Sequence, residues 1–402
     1  MKKSIAVIGA NFGDEGKGLM TDYFSKAFGG IVVRYNGGSQ ASHTVVTPEG
    51  DRHVFSTYGA GTFAGLPTYL SRFFIINPII MMKETRTLKR STDLYIDSNC
   101  LITIPFDMLV NQIIEKCRGK DKHGSCGIGF GETIERCITS RHFDLRISDL
   151  SDLDSFKIKI KQIRTLYTPY RLHKLGLTDD QISEEYKHFL FSEDVIEHYL
   201  DDVTEMLKIV KVTGRDVLNK FDTIIFEGSQ GLLLDQEHSF FPHVTRSHTG
   251  LLNISELTGS LGVEKMNVTY VTRCYMTRHG DGQFPTEIPG KPYNNVIDTT
   301  NVTNTYQGSL RFGLLDLDYL NKSIQEDLKK VGQEGFKFNI AVTCLDQIDN
   351  PDSVKYILDN TVRTTSIDDF INEITKFAEN VYTVYGPTRD HVKVKRVKRK
   401  NN

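Results

Sequence analysis

Residues 4–23 read SIAVIGANFGDEGKGLMTDY, and the reading of this stretch decides the fold. An apolar run ends at Gly9 and gives way to a glycine-rich turn. The turn opens a segment with helical spacing, in which Leu19, Met20, Tyr23, Phe24 and Phe28 fall on one side. IVVRY at 31–35 follows as a second buried strand. Strand, glycine-rich turn, helix and strand make a βαβ opening, which implies a parallel sheet. Four later runs repeat the strand type: TIIFEG at 223–228, NVTYVTR at 267–273, KFNIAVTCLD at 337–346 and NVYTVYG at 380–386. The expected class is α/β, a parallel sheet with ligands at the carboxyl ends of its strands. Residues 150–220 carry helical spacing and read as a helical insertion, so a single domain is expected over 1–402.

The turn GDEGKG at 13–18 resembles a phosphate-binding P-loop yet breaks its pattern. Asn11 stands where that motif has glycine, and Gly18 where it has a magnesium-holding hydroxyl. Glycines let backbone N–H groups approach a phosphate, a helix start adds partial positive charge, and Lys17 adds a full one. Asp14, inside the turn, is then a metal ligand or a base beside a transferring phosphoryl group. A surface turn is the bland alternative, weakened by the strand before and the helix after.

Bulk composition narrows the class. The chain has 402 residues, 39% of them apolar, and a formal net charge of -2, so its body carries no broad signal for nucleic acid or membrane. Six Lys/Arg crowd the last ten residues, and the basic stretch 392–402 reads as a solvated, frayed end rather than a nucleic-acid arm. Six scattered cysteines with no C-x-x-C pair suit a reducing compartment and a cytoplasmic enzyme. No apolar run approaches a membrane span in length.

Other strand-end loops add chemistry. NGGSQASHT at 36–44 brings His43 beside the first turn as an acid or electrostatic catalyst. KHGSCGIGFGET at 122–133 offers glycines, Ser125 and Thr133 to a second phosphate. FEGSQGLLLD at 226–235 offers Gln230 to a heterocycle, QGSLRFGLLD at 307–316 offers Arg311 to a carboxylate or phosphate, and VYGPTRD at 384–390 ends in a flat Gly-Pro turn.

In order, these loops resemble adenylosuccinate synthetase nearly end to end: GDEGKG at 13–18, VVRYNGGSQASHT at 32–44, GSCGIG at 124–129, LRISDL at 145–150, FEGSQGLLLD at 226–235, GQFPTE at 282–287, Leu345-Asp346 and Gly386-Pro387. The resemblance implies an α/β fold with one large, mostly parallel central sheet and peripheral helices, and a homodimeric ligase that couples L-aspartate to C6 of a 6-oxopurine nucleotide, using a triphosphate and Mg²⁺. It implies Asp14 as base and magnesium ligand, with the Ser42 carbonyl in the metal shell, and His43 against charge on O6. Gly13, Glu15, Gly16, Lys17, Gly18, Asp346, Gly386 and Pro387 fall on triphosphate contacts. Asn36, Ser39, Gln40, Ser125, Cys126, Gln230 and Thr245 fall on the purine nucleotide. Arg141 stands for an arginine that reaches the other subunit's substrate phosphate. Thr305, Gly308 and Arg311 fall on aspartate.

Departures cluster at the ligands. The family's His-Asn-Ala-Gly-His run is Ser39-Gln40-Ala41-Ser42-His43, its four-arginine cluster is reduced to Arg311, and Cys344 and Cys126 replace a lysine and a threonine. The pattern resembles a phage-type branch that makes 2-aminoadenylosuccinate from dGMP, which places dGMP narrowly ahead of IMP, with GTP or ATP as donor. A GTPase-like switch is the remote alternative; it calls for glycine at 11, Ser or Thr at 18 and Asn-Lys-x-Asp, where the chain has Thr343-Cys344-Leu345-Asp346.

Overall fold

The computed structural model describes residues 2–119, 124–259, 261–263, 266–297, 309–332 and 336–396. Ten strands form the central sheet: β1 (Lys3–Gly9), β2 (Ile31–Arg34), β3 (Thr68–Leu70), β4 (Leu94–Asp97), β5 (Val210–Thr213), β6 (Thr223–Gly231), β7 (Met266–Arg273), β8 (Phe336–Thr343), β9 (Asn380–Val384) and β10 (Val392–Arg396). Their spatial order is β10-β9-β8-β7-β1-β6-β2-β3-β4-β5. Every neighbouring pair is parallel except β9 with β10. The α/β expectation therefore holds.

Both faces of the sheet are covered, so its central strands are apolar on each side. Ile5 and Val7 of β1 pack with Leu19, Met20 and Phe24 of helix α1 (Lys17–Phe28). Ala6 and Ile8 point the other way, into a cluster with Leu257, Leu320 and Ile324 from the helices Leu252–Thr258 and Leu317–Lys330. A third cluster lies around β3 and β4 and takes in Phe156, Ile160, Tyr199, Val203 and Met206.

Two boundary expectations change. The 150–220 segment supplies the helices Leu153–Gln162, Thr168–Lys174, Glu184–Phe191 and Glu193–Ile209, but it also supplies β5 at the sheet edge. The run Val210-Lys211-Val212-Thr213 alternates apolar and polar residues, the pattern of an edge strand. The basic end is not frayed from 392 onward: Val392–Arg396 pairs antiparallel with β9, register Asn380↔Arg396 to Val384↔Val392. Lys393 and Lys395 on this outermost strand are the charges that keep an edge from pairing further. Residues 397–402 lie outside the described residues. Among the described residues, no helix is long and apolar enough to cross a membrane.

Candidate active site

β6 runs between β1 and β2, and its last five residues are the hub of the site. The register places Ala6 and Val33 against Phe226, and Val7 and Arg34 against Glu227. Past that point the chain holds both neighbouring loops. Glu227, fully buried, takes the His43 imidazole: Nδ1 lies 2.5 Å from Oε1. Its second oxygen accepts the Ala60 N–H at 3.0 Å. Ser229 receives Asn36 on both sides, its N–H donating to Asn36 Oδ1 at 2.9 Å and its hydroxyl to the Asn36 carbonyl at 2.6 Å. Gly231 presses on the first loop so closely that an added Cβ would lie 2.0 Å from the Asn11 carbonyl oxygen.

The GDEGKG loop turns through left-handed backbone at Gly13 (φ 104°), Asp14 (φ 57°) and Gly16 (φ 94°). All three positions favour glycine or a short polar residue, since other side chains clash with their own backbone there. α1 starts at Lys17. Lys17 and Glu15 are both buried, with Nζ 3.8 Å from Oε2, and Glu15 Oε1 accepts the Asn11 N–H at 2.5 Å. Burial pushes the Glu15 carboxyl up to about 7 against the pull of Lys17, and burial likewise lowers Lys17. Glu15 thus turns inward and braces the loop, whereas Asp14 turns outward with a third of its side chain exposed (33%). Thr277 Oγ1 donates to the Gly13 carbonyl at 3.4 Å, and Arg273 Nε donates to the Asp14 carbonyl. His279 Nε2 stands 3.5 Å from Asp14 Oδ2.

The second loop docks on α1: a Cβ at Gly18 would lie 3.0 Å from His43 Cβ and 2.9 Å from the Thr44 carbonyl oxygen. Arg34, completely buried, clamps it from below, donating to the Ala41 carbonyl at 3.1 Å and the Ser229 hydroxyl at 3.3 Å. Burial lowers the His43 pKa, and Lys17 and Arg34 reinforce that against the hydrogen bond and charge of Glu227. Burial alone would raise Glu227, but the His43 hydrogen bond, Arg34 and the Ala60 amide hold it below its ordinary value. An ionised Glu227 accepts from Nδ1–H, and Nε2 lies 3.3 Å from the Ser229 carbonyl, which accepts from it when Nε2 is protonated as well.

Three further loops converge. Thr343 Oγ1 donates to the Glu15 carbonyl at 2.8 Å, and its methyl would lie 2.9 Å from a Cβ at Gly16. This puts the 343–346 turn, with Cys344 in left-handed backbone (φ 62°) and exposed Asp346, beside the phosphate loop. The 124–129 loop meets the 280–282 loop, since a Cβ at Gly124 would lie 2.8 Å from Gly280 Cα. In it, Ser125 Oγ accepts from Asn111 Nδ2 at 2.7 Å, and burial lifts the Cys126 thiol to about 11. Ser39 bonds Thr57 (3.2 Å), exposed Ser42 bonds Ser56 (3.0 Å), and Thr245 N–H donates to the Leu234 carbonyl at 2.9 Å. Neither amide atom of Gln40, nor Gln230 Oε1, nor Asn36 Nδ2 has a hydrogen-bond partner among the described residues, although all four atoms are buried. Buried amides without protein partners are open to hydrogen bonds from a polar ligand or water.

Other predicted residues stand differently. Arg311 is committed to Glu287 and to the Gly280 and Gly282 carbonyls. Arg141 is exposed, near the end of a helix away from these contacts. Gly386 packs on His391, Pro387 is exposed, and the turn is tied to α1 through Arg389 and Asp22 at 3.0 Å. Thr305 and Gly308 lie outside the described residues. Sequence reading missed Arg34, Glu227, Arg278, His279 and Glu287. The first two carry a legible signal: a charge ending a buried strand requires a partner.

The Asp14 carboxylate turns outward and is an oxygen donor of the kind hard divalent ions prefer. Asp235, Glu237 and His248 also bring ligand atoms within 4.8 Å of one another, but Lys330 Nζ sits 3.8 Å from Asp235 and 3.3 Å from Glu237. That cluster is an ion-pair network already neutralised.

The family model for adenylosuccinate synthetase matches residues 6–399. The adenylosuccinate synthetase of Thermoplasma acidophilum is 31% identical over 367 residues, 89% of this chain and 80% of that protein. That of Clostridium beijerinckii is 28% identical and covers 93% of this chain and 85% of its own. Among solved structures, the fully ligated Plasmodium falciparum adenylosuccinate synthetase superposes with a TM-score of 0.74 at 19% identity, covering 98% of this chain and 100% of its own. The succinoaminodeoxyadenylate synthetase of cyanophage S-2L, solved with dGMP and dATP as energy donor, gives 0.63 at 16% identity, covering 98% and 95%. These two likenesses speak to the fold. With the family model spanning nearly the whole chain, the protein belongs to the adenylosuccinate synthetase family of carbon–nitrogen ligases.

Proposed function

We propose that the chain joins L-aspartate to C6 of a 6-oxopurine nucleoside monophosphate at the expense of a nucleoside triphosphate. The observation that carries this reading is a carboxylate, Asp14, and a Glu227-held imidazole, His43, on loops that both seat on the end of β6. The exocyclic oxygen O6 is a poor leaving group and N1–H a weak acid. Asp14 takes the N1 proton while the γ-phosphoryl moves to O6, and His43 faces the charge on O6. The amine of aspartate then forms the N–C6 bond as the C6–O bond breaks and phosphate departs. Lys17 and the amides of the Gly13, Gly16 and Gly18 turn hold the triphosphate, with Glu15 bracing the loop. Asp14 and the Ser42 carbonyl would hold a divalent cation, Mg²⁺, which when bound would supply charge neutralisation at the phosphates.

Asp346 accepts from guanine N1 and N2, with Gly386-Pro387 stacking on the base, which favours GTP over ATP. Asn36, Gln40, Ser125, Cys126, Gln230 and Thr245 take the monophosphate. Arg141, exposed on its own subunit, reaches the other subunit's nucleotide in a homodimer.

The curated relatives are adenylosuccinate synthetases, and that similarity supports IMP. A second reading, dGMP, rests on Gln40, whose buried amide offers an unpartnered acceptor in the loop expected to face the base. An unpaired buried amine costs about 1–3 kcal/mol, so an acceptor decides whether a 2-amino group is tolerated. Phosphate release measured with IMP, dIMP, GMP and dGMP, each with aspartate under GTP and under ATP, tests both. Release that needs aspartate and a monophosphate together supports the ligase; triphosphate hydrolysis without aspartate refutes it. A tenfold preference for IMP rules out the dGMP reading, and a tenfold preference for dGMP overturns the ordinary one. Sedimentation and activity on dilution test the dimer.

A further inference from the structure

Arg278 and Arg311 lie directly opposite each other in a small antiparallel sheet of Met276–Arg278, Arg311–Gly313 and Glu287–Ile288. Like charges at a cross-strand pair repel. Arg278 is 2% exposed and donates to the carbonyls of His243 (2.9 Å), Asp281 (3.1 Å) and Gln283 (2.8 Å), while its Nε is buried without a partner. Those partners are neutral; the guanidinium also lies over the Phe12 ring, 4.3 Å from its centroid, and Glu287 is the carboxylate whose charge reaches it. Arg311 holds a carboxylate, that of Glu287: Nε donates to Oε1 at 2.8 Å and Nη2 to Oε2. One edge of the guanidinium thus grips both oxygens, the geometry with which arginine takes a free carboxylate. The remaining nitrogen, Nη1, anchors Arg311 to the Gly280 and Gly282 carbonyls at 3.2 and 2.9 Å. The 279–282 loop so anchored also carries His279, 3.5 Å from Asp14. Glu287 stands at the solvent edge, its side chain 40% exposed, and can swing out without leaving a buried charge behind.

We propose that Glu287 is an internal occupant of a carboxylate seat at Arg311, and that L-aspartate binds by exchanging one of its carboxylates for that of Glu287. The proposal rests on the ligase reading and on Arg311 as the aspartate-binding arginine. Exchange keeps the charge count at the two arginines unchanged, since one carboxylate leaves as another arrives. A competing internal carboxylate lowers the apparent affinity for aspartate by the fraction of time the seat is free.

The test uses the full chain with Glu287→Gln and, in case that variant folds poorly, Glu287→Ala. Either is expected to lower KM for aspartate about fivefold, the scale of an exposed ion pair, and to leave KM for the nucleotide in place. Succinate, a dicarboxylate without the amine, is expected to inhibit both variants more strongly than the parent. An Arg311→Gln background is expected to erase the difference. An unchanged or raised KM for aspartate in both variants overturns the proposal and makes the pair a structural tie. Absence of aspartate-dependent turnover in the parent would refute the ligase reading instead; calorimetric binding of succinate, tighter in Glu287→Ala than in the parent, would still support the exchange, and equal binding would overturn it.

Discussion

His43 Nδ1 lies 2.5 Å from Glu227 Oε1 inside the protein, although 184 residues separate them in the chain. The loop that carries His43 leaves β2, and the carboxylate stands on β6 beside it in the sheet. The pair fixes which imidazole nitrogen carries the proton, and this gives the first prediction. Glu227→Gln keeps shape but presents an amide, which no longer enforces Nδ1–H. We expect kcat to fall about 10²–10⁴-fold with modest change in KM for the nucleotide, as for other misoriented catalytic imidazoles. Asp14→Asn and His43→Ala should fall in the same range, with thermal midpoints near the parent's. Near-normal turnover in any of the three would remove that residue's assigned role.

Gly231→Ala should cripple the site through space alone. Gly231 has φ −103°, a conformation alanine accepts, so strain plays no part. Its Cβ would lie 2.0 Å from the Asn11 carbonyl oxygen, a backbone atom that cannot move without shifting the GDEGKG loop. A displacement near 1 Å costs on the order of 10²-fold in rate. Steady-state kinetics of the folded variant check this; a drop under tenfold would show that the loop relaxes freely.

Asp107 and Arg136 form a buried double contact, Nε–Oδ1 2.8 Å and Nη2–Oδ2 2.9 Å, with side chains 2% and 0% exposed. The two helices they join flank the 124–129 loop. Arg136→Met leaves the Asp107 charge buried and unpaired, so we expect a loss of about 3–5 kcal/mol, read from the denaturant midpoint. A loss under about 1 kcal/mol would show that water reaches Asp107.

Asp327 gives a pH prediction. It is buried, accepts the Leu251 N–H at 2.9 Å and the Tyr270 hydroxyl at 2.7 Å, and burial pushes its carboxyl from 3.8 up to about 6. A folded pKa above the unfolded one means that the folded state holds its proton longer. The contribution is therefore full below the unfolded value and is lost as pH rises from about 4 through about 6. Asp327→Asn cannot ionise, so its thermal midpoint should fall less steeply than the parent's across that window. Parallel curves would show that Asp327 does not titrate there.

The frame of the molecule was legible because local pattern and tertiary role agree. SIAVIGA and TIIFEG are apolar on both faces, as strands buried on both faces must be, and GDEGKG needs left-handed backbone at Gly13 and Gly16 whatever surrounds it. β3, with three residues, and β5, with four, were not legible, since so short a run carries too little periodicity. Asp14, Lys17 and His43 could be singled out from local sequence, since a glycine-rich turn between a strand and a helix, and a histidine in the next strand-end loop, are short-range patterns. Their supports were not so local: Glu227 and Arg34 act across sheet neighbours that are far apart in sequence, and only strand order brings β6 between β1 and β2. Arg311 shows the same division most plainly. Its charge and its place in the QGSLRFG run were readable as carboxylate chemistry, but its partner was not. That the carboxylate on its guanidinium is Glu287 follows from register, Glu287 opposite Gly313 and Arg278 opposite Arg311, and register is set by packing over the whole sheet rather than by any local run of residues.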